Sequence, residues 1–288
     1  MRKLSLVALA LLVLICGISL VACASGDSER DSSGSSSSLG SDLGSEEIAA
    51  DDAKPYYYEE GRAERYASYA EANPELSYDE VVWRVDADVD KGFYEDTAVA
   101  DDPNSQLVLI NKHSSLPDDF VPQNIVSISG GAELRADAAE AIEEMMRDAS
   151  QAGVPFFVRT GYRSIAWQRD LYNSYLERDT QVEVDTYSAR PGFSEHNTGL
   201  TMDLSVEHVT DMHNFDNTPQ SAWVAENAWK YGYIVRYTEE NSPITGYIEE
   251  QWHIRFIGRE HAKAMKESGV GSLEEYLVKY VWHLPPEK

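Results

Sequence analysis

Along the chain the apolar positions change character abruptly. From Leu4 to Leu20 they are nearly continuous, from Ala24 to about Lys54 they almost vanish, and beyond Tyr56 they recur at helical or strand periods. In that last region a helix is predicted over 59–72, with Tyr66, Tyr69 and Ala70 on one side and Asn73-Pro74 as its stop. Ser77 and Glu80 have capping-box spacing ahead of Val81-Val82-Trp83, and the short run Leu107-Val108-Leu109-Ile110 reads as a buried strand. Leu134, Ala138, Ile142, Met145 and Ala149 mark a second amphipathic helix, with Gly153 suited to its C-terminal cap. A strand over 154–160 and a turn at Gly161-Tyr162-Arg163 lead into a helix with Ser164 as N-cap, ending near 178. Its buried stripe is expected at Trp167, Leu171 and Tyr175. After Gly199, Leu200, Met202 and Leu204 alternate with Thr201, Asp203 and Ser205, the pattern of a strand with an apolar buried face and a polar face turned towards a site. A helix over 222–231, a strand over 233–236, an alternating strand over 252–256 and a last helix capped by Ser272 and Glu275 complete the pattern. Helices and strands do not alternate regularly enough for a doubly wound sheet, so the expected class is α+β with a small antiparallel sheet flanked by helices.

Composition narrows the partners. The 288 residues suggest one or two domains, and 42% hydrophobic content suffices for a core. A formal net charge of −26 excludes a nucleic-acid partner and sets the body against an anionic membrane surface. Any membrane attachment must come from elsewhere, and the N-terminus supplies a candidate. Arg2 and Lys3 precede the apolar run, which closes on Leu20-Val21-Ala22-Cys23. Residues 1–22 thus have the charge, length and small-residue end of a signal peptide. The cysteine after Leu-Val-Ala resembles the bacterial lipobox, implying cleavage before Cys23, lipid on its sulfur and an exported protein held on the outer face of the cytoplasmic membrane. An ordinary secretory signal or an uncleaved anchor helix is the alternative. Residues 23–54 are Ser, Gly and acidic, too poor in apolar surface to order themselves, and read as a tether. Its mean reach would be roughly 30 Å, and about 100 Å drawn out. The chain has 2 cysteines, Cys16 and Cys23, so the folded body has no thiol for a disulfide, a nucleophile or a metal. Residues 55–132 carry no obvious chemistry and are expected to pack as a mainly helical N-terminal extension on a domain over 133–288. Carbohydrate stacking on their aromatics is the competing reading.

Candidate chemistry concentrates late in the chain. His196 and Asp203 flank a turn-forming Thr198-Gly199, and His253 lies on a later strand. Two neutral imidazoles and one carboxylate are the three protein ligands of an open catalytic zinc site. Glu250, three residues before His253, is placed to take a proton from metal-activated water, and Arg163 to stabilise an oxyanion. Arg255 is expected to buttress the site through acidic neighbours. His113, His208, His213, His261 and His283 are read as packed or solvated.

Taken in order, Gly161-Tyr162-Arg163-Ser164 with Gln168, Ser194-x-His196-x-x-Gly199-x-x-x-Asp203 and Glu250-x-Trp252-His253-x-Arg255-Phe256 resemble the VanY-type D-alanyl-D-alanine carboxypeptidases. The resemblance covers 134–280 closely and 60–130 more loosely. It implies zinc ligands at His196, Asp203 and His253, a catalytic base at Glu250, an arginine supporting the substrate carbonyl at Arg163, and substrate contacts at Gln168 and Ser194. The implied substrates are peptidoglycan stem peptides, from which a terminal D-alanine would be removed by a monomeric enzyme. L,D-carboxypeptidase or endopeptidase action is the alternative within the class, and a non-catalytic wall-binding lipoprotein the alternative outside it. The chain departs from the family pattern at Gln251, where proline is usual, and at Thr201, where alanine is frequent. Glu249 offers a rival carboxylate to Glu250.

Overall fold

Four antiparallel strands in the order β5-β6-β8-β7 carry the histidines and carboxylates singled out above. The computed structural model describes residues 54–206 and 212–283. The expected signal peptide, Cys23, almost the whole tether and His208 lie outside them. Helices α1 (Ala63–Ala72) and α2 (Tyr78–Asp86) are followed by short strands β1 (Ala98–Val99), β2 (Ser114–Ser115), β3 (Ile125–Ser127) and β4 (Glu133–Arg135). Then come α3 (Ala136–Gln151), β5 (Phe157–Thr160), α4 (Ile165–Leu176), α5 (Gln181–Val184) and β6 (Thr201–Ser205). The chain continues through α6 (Pro219–Asn227), β7 (Tyr233–Tyr237), α7 (Ser242–Thr245), β8 (Glu250–Phe256), α8 (Arg259–Ser268) and α9 (Leu273–Leu277). The expected α+β class with a small antiparallel sheet is the class observed.

One sheet face and α3 make the main core, where Ile142 and Met145 pack with Met202, Leu204, Trp252 and Ile254. Each such side chain, fully withdrawn from water, contributes roughly 1.5–3 kcal/mol. The other face is also closed, and every residue of β6 is buried. What closes it is polar. Arg255 reaches across to the backbone of the N-terminal extension, its Nη2 donating to the carbonyls of Gln106 (3.0 Å) and Val108 (2.8 Å). This explains a correction: 107–110 is not a strand, although Val108 and Ile110 are buried as expected. A side-chain guanidinium takes carbonyls that a strand ladder would have used.

The extension packs around Tyr57, Tyr66, Val81, Val82, Trp83 and Val85, in contact with Ile244 and Val278. The capping box at Ser77 and Glu80 is formed. At Ser272 only half of the expected box exists: its hydroxyl accepts from Glu275 N, while Glu275 Oε2 accepts from Gly271 N. A second correction concerns α4, where Ile165, Gln168 and Tyr172 are buried and Trp167 is 49% exposed. The apolar stripe expected in the core lies on the outer side. No helix of the described residues is long and apolar enough to cross a membrane.

Candidate active site

Asp203 sits in the middle of the sheet, paired with Thr160 of β5 on one side and His253 of β8 on the other. That register alone brings a carboxylate and an imidazole together. His196 arrives from a 3-10 turn, Glu195–Thr198, ended by Gly199 in the left-handed region (φ 72°). A side chain at Gly199 would be strained there and would meet Ile125 Cδ1 at 2.7 Å. Gly161 is required by closeness instead, since a Cβ would stand 2.3 Å from the Glu133 carbonyl oxygen. Its own carbonyl accepts from His196 Nδ1 (2.7 Å), which places the proton on Nδ1 and leaves Nε2 facing inward.

The inward atoms converge. His196 Nε2 is 3.2 Å and His253 Nδ1 3.3 Å from Asp203 Oδ1, and the three ligand atoms lie within 4.8 Å of one another. Among the described residues this is the one such group of histidines, cysteines and carboxylates. All three side chains are buried. Asp203 Oδ2 accepts from Arg163 Nη2 (2.6 Å). Burial alone would raise the Asp203 carboxyl, but His196 and Arg163 hold it well below the usual range. Burial and Arg163 together push His196 down. His253 moves the other way: burial works against its proton, yet Asp203 and Glu195 outweigh it and raise the ring to about 9.

Glu250 Oε2 lies 3.5 Å from His253 Nδ1. Residues three apart on a regular strand point to opposite faces. Their approach falls where β8 is irregular: Val235 pairs with Ile254 while Tyr237 pairs with Glu250, so the β7 ladder skips residues of β8. Burial pushes the Glu250 carboxyl up to about 7. Glu249 is exposed and lines a different groove with Gln251, so the rival carboxylate faces away from the cluster. Gln251 Oε1 accepts from Asn217 N (2.9 Å), tying β8 to the loop before α6.

A cavity of about 70 Å³ opens beside these groups. Ser194, Gln168 and Arg163 line it with Glu250, Tyr237 and Tyr247. Gln168 Nε2 donates to the Ala189 carbonyl (2.9 Å), while Gln168 Oε1 and Arg163 Nε are buried without a hydrogen-bond partner. A groove of about 570 Å³ along β7 is larger but contains none of the converging ligands. Of the remaining histidines, His113 is buried and His261 bonds the Tyr276 hydroxyl (3.0 Å). His213 is exposed and packs edge-on against Trp252, with ring centroids 4.7 Å apart.

Arg255 buttresses the site through an acidic neighbour as expected, while sequence reasoning missed the rest of the ion network beneath the cluster. Glu195 Oε1 accepts from Arg236 Nε (2.9 Å) and Arg255 Nη1 (2.8 Å), and its Oε2 faces Thr201 Oγ1 (3.3 Å) and His253 Nε2 (3.5 Å). The last distance is too long for a good hydrogen bond and counts as a charge contact. Arg236 in turn forks onto Glu274 at 3.0 and 2.7 Å. None of these four side chains has any exposure. Arg236 and Glu274 lie in stretches without a motif; only Glu195, between Ser194 and His196, carried a signal.

A buried carboxylate–diimidazole cluster with a neighbouring glutamate and arginine defines a hydrolase site of the metallopeptidase kind. The D-alanyl-D-alanine carboxypeptidase (VanY) family model matches residues 131–259. The Bacillus subtilis (strain 168) protein YodJ, named a carboxypeptidase, is 33% identical over 188 residues, covering 62% of this chain and 68% of its own. The LdcB LD-carboxypeptidase structure is 31% identical, with a TM-score of 0.58 over 63% of this chain and 89% of that one. The D,D-pentapeptidase VanY of a VanB-type resistance cassette, solved with Zn(II), is 27% identical, with a TM-score of 0.51 over 60% of this chain and 98% of that one. VanYB in complex with D-alanine-D-alanine gives 27% identity and a TM-score of 0.54 over 61% and 98%. The chain belongs to the VanY D-alanyl-D-alanine carboxypeptidase family. It is a hydrolase acting on peptide bonds.

Proposed function

We propose that this protein is a zinc-dependent carboxypeptidase that removes the terminal D-alanine from peptidoglycan stem peptides, exported and lipid-anchored at Cys23. The observation that carries the reading is the convergence of His196 Nε2, Asp203 Oδ1 and His253 Nδ1. Ligand bonds of about 2.0–2.1 Å at a tetrahedral angle separate neighbouring donor atoms by about 3.3 Å. The observed 3.2 and 3.3 Å match that separation, and the Gly161 carbonyl already fixes the His196 tautomer that binding needs. Zinc held there would act as a Lewis acid and bring the pKa of its water to about 7.

The chain's own groups supply the rest. Glu250, 3.5 Å from His253 at the edge of the cluster, can accept a proton and return it to the leaving amine. Arg163 holds Asp203 through Nη2 and lines the cavity, where its guanidinium would support the substrate carbonyl. Ser194 and Gln168 line the same cavity and would supply the donors for a terminal carboxylate. About 70 Å³ is on the order of five water-sized spheres, far below the roughly 300–1,000 Å³ of drug-sized sites, and suits one small residue.

The test is incubation of the detergent-solubilised chain with defined muropeptides. Free alanine from the pentapeptide is expected. Release only from the tetrapeptide would replace D,D by L,D specificity, and an intact set would remove the enzyme reading in favour of wall binding. Glu250→Ala should keep the metal by elemental analysis while turnover falls by orders of magnitude. Alanine at His196, Asp203 or His253 should lose the metal.

A further inference from the structure

The outer face of α4 is inverted relative to an ordinary amphipathic helix. Trp167, Leu171 and Tyr175 recur at the spacing that puts them on one face, yet that face is open: Trp167 is 49% exposed, Leu171 and Tyr175 are half-buried, and the polar Gln168 takes the core position. Leu171 and Tyr175 also line the catalytic cavity, joined there by Tyr187, whose ring meets Tyr175 edge-on at 5.3 Å. An exposed apolar stripe running into a catalytic cavity marks a binding surface.

From this we infer that the stripe is a subsite for the part of the substrate on the acyl side of the scissile bond, an extended acidic peptide of three to four residues. The inference rests on the carboxypeptidase reading and adds what the cavity cannot provide. A cavity of about 70 Å³ takes one small residue, so the remaining substrate must lie outside it, and Leu171 and Tyr175 form the way out. Helix rise sets the length: from Trp167 to Tyr175 the stripe runs about 12 Å. At about 3.3–3.4 Å per extended residue that matches three to four residues.

Charge sets the chemistry. The Arg163 guanidinium lies over the Trp167 ring at 5.2 Å and that of Arg178 over the Tyr175 ring at 5.3 Å, one cation at each end of the stripe. Arg163 is already paired with Asp203 (2.6 Å), so in a chain of formal net charge −26 Arg178 is the cation that the stripe offers to a peptide bearing carboxylates. Glu177 and Asp179 flank Arg178 in the chain, and the Asp179 carboxylate accepts from the Tyr187 hydroxyl (2.7 Å).

The test compares kcat/KM for a stem pentapeptide ending in two D-alanines with that for N-acetyl-D-alanyl-D-alanine, in the wild type, Trp167→Ala, Tyr175→Ala and Arg178→Gln. The wild type should prefer the longer substrate. Each aromatic variant should lower the long-to-short ratio about tenfold, through KM rather than kcat, and Arg178→Gln should lower it only for peptides carrying a carboxylate. An equal loss on both substrates, or a ratio of one in the wild type that still cleaves, overturns the subsite and leaves the carboxypeptidase reading intact. If the wild type cleaves neither substrate, the D,D reading fails. Calorimetry with the stem peptide lacking its last residue then decides the stripe: saturable binding weakened by Tyr175→Ala upholds it, and no saturable binding overturns it.

Discussion

Glu195 shows how much a single residue can carry without belonging to any recognised pattern. Its carboxylate is wholly buried between Arg236 and Arg255, which overcome the cost of burial and keep it ionised well below the usual range. Glu195→Gln would leave two buried guanidinium groups facing His253 with one neutralising partner fewer. Breaking such a pair typically costs about 3–5 kcal/mol, so the variant should show a denaturant midpoint lowered accordingly. An unchanged midpoint would mean that Glu274 alone neutralises both arginines. The metal-site residues were legible because their types and spacing are the chemistry. His196, Asp203 and His253 can be picked out by asking what binds a metal, and they do meet. Glu195 answers a different question, namely what balances a buried arginine, and that appears only once burial is known.

At the scale of elements, period and capping were read correctly where local chemistry decides and failed where a partner from far along the chain decides. Ser164 caps α4 as expected, its hydroxyl accepting from Trp167 N. Which face of α4 is buried depends on Ala189, whose carbonyl captures Gln168. Leu107 to Ile110 lost their strand in the same way, to Arg255. Lys112 makes the point for the extension. Its ammonium donates to the carbonyls of Asp185 and Gly246, both at 2.5 Å, and lies over the Tyr247 ring at 4.2 Å, so it clamps segments that border the catalytic cavity. Burial pushes this lysine down to about 8 from an ordinary 10.5. Below pH 8 folded and unfolded chains both hold the proton, and the cost of burying the charge is fully present. Between about 8 and 10.5 the unfolded chain binds more protons than the folded one, so stability should rise with pH. Relative to Lys112→Met, the wild type should gain a few kcal/mol at most across that window in urea titrations. A flat difference would show that the carbonyls and the ring keep the ammonium charged.

For the whole molecule, the acidic body and the expected lipid at Cys23 have to be considered together. A chain with a formal net charge of −26 gains nothing from anionic headgroups, so attachment should depend on the acyl chains alone. Cys23→Ser should move the protein from the detergent phase to the aqueous phase in a partition assay, and its membrane binding should not be restored by lowering the salt. Persistent association would point to an uncleaved anchor. Within the folded part, the irregular pairing of β8 has a mechanical meaning. Because Glu250 meets the cluster where the ladder is faulted, strand register and active-site assembly are coupled there. A metal ion bridging Asp203 and His253, cross-strand neighbours on β6 and β8, would then work as a rivet through the sheet, holding two strands against slippage while it awaits substrate.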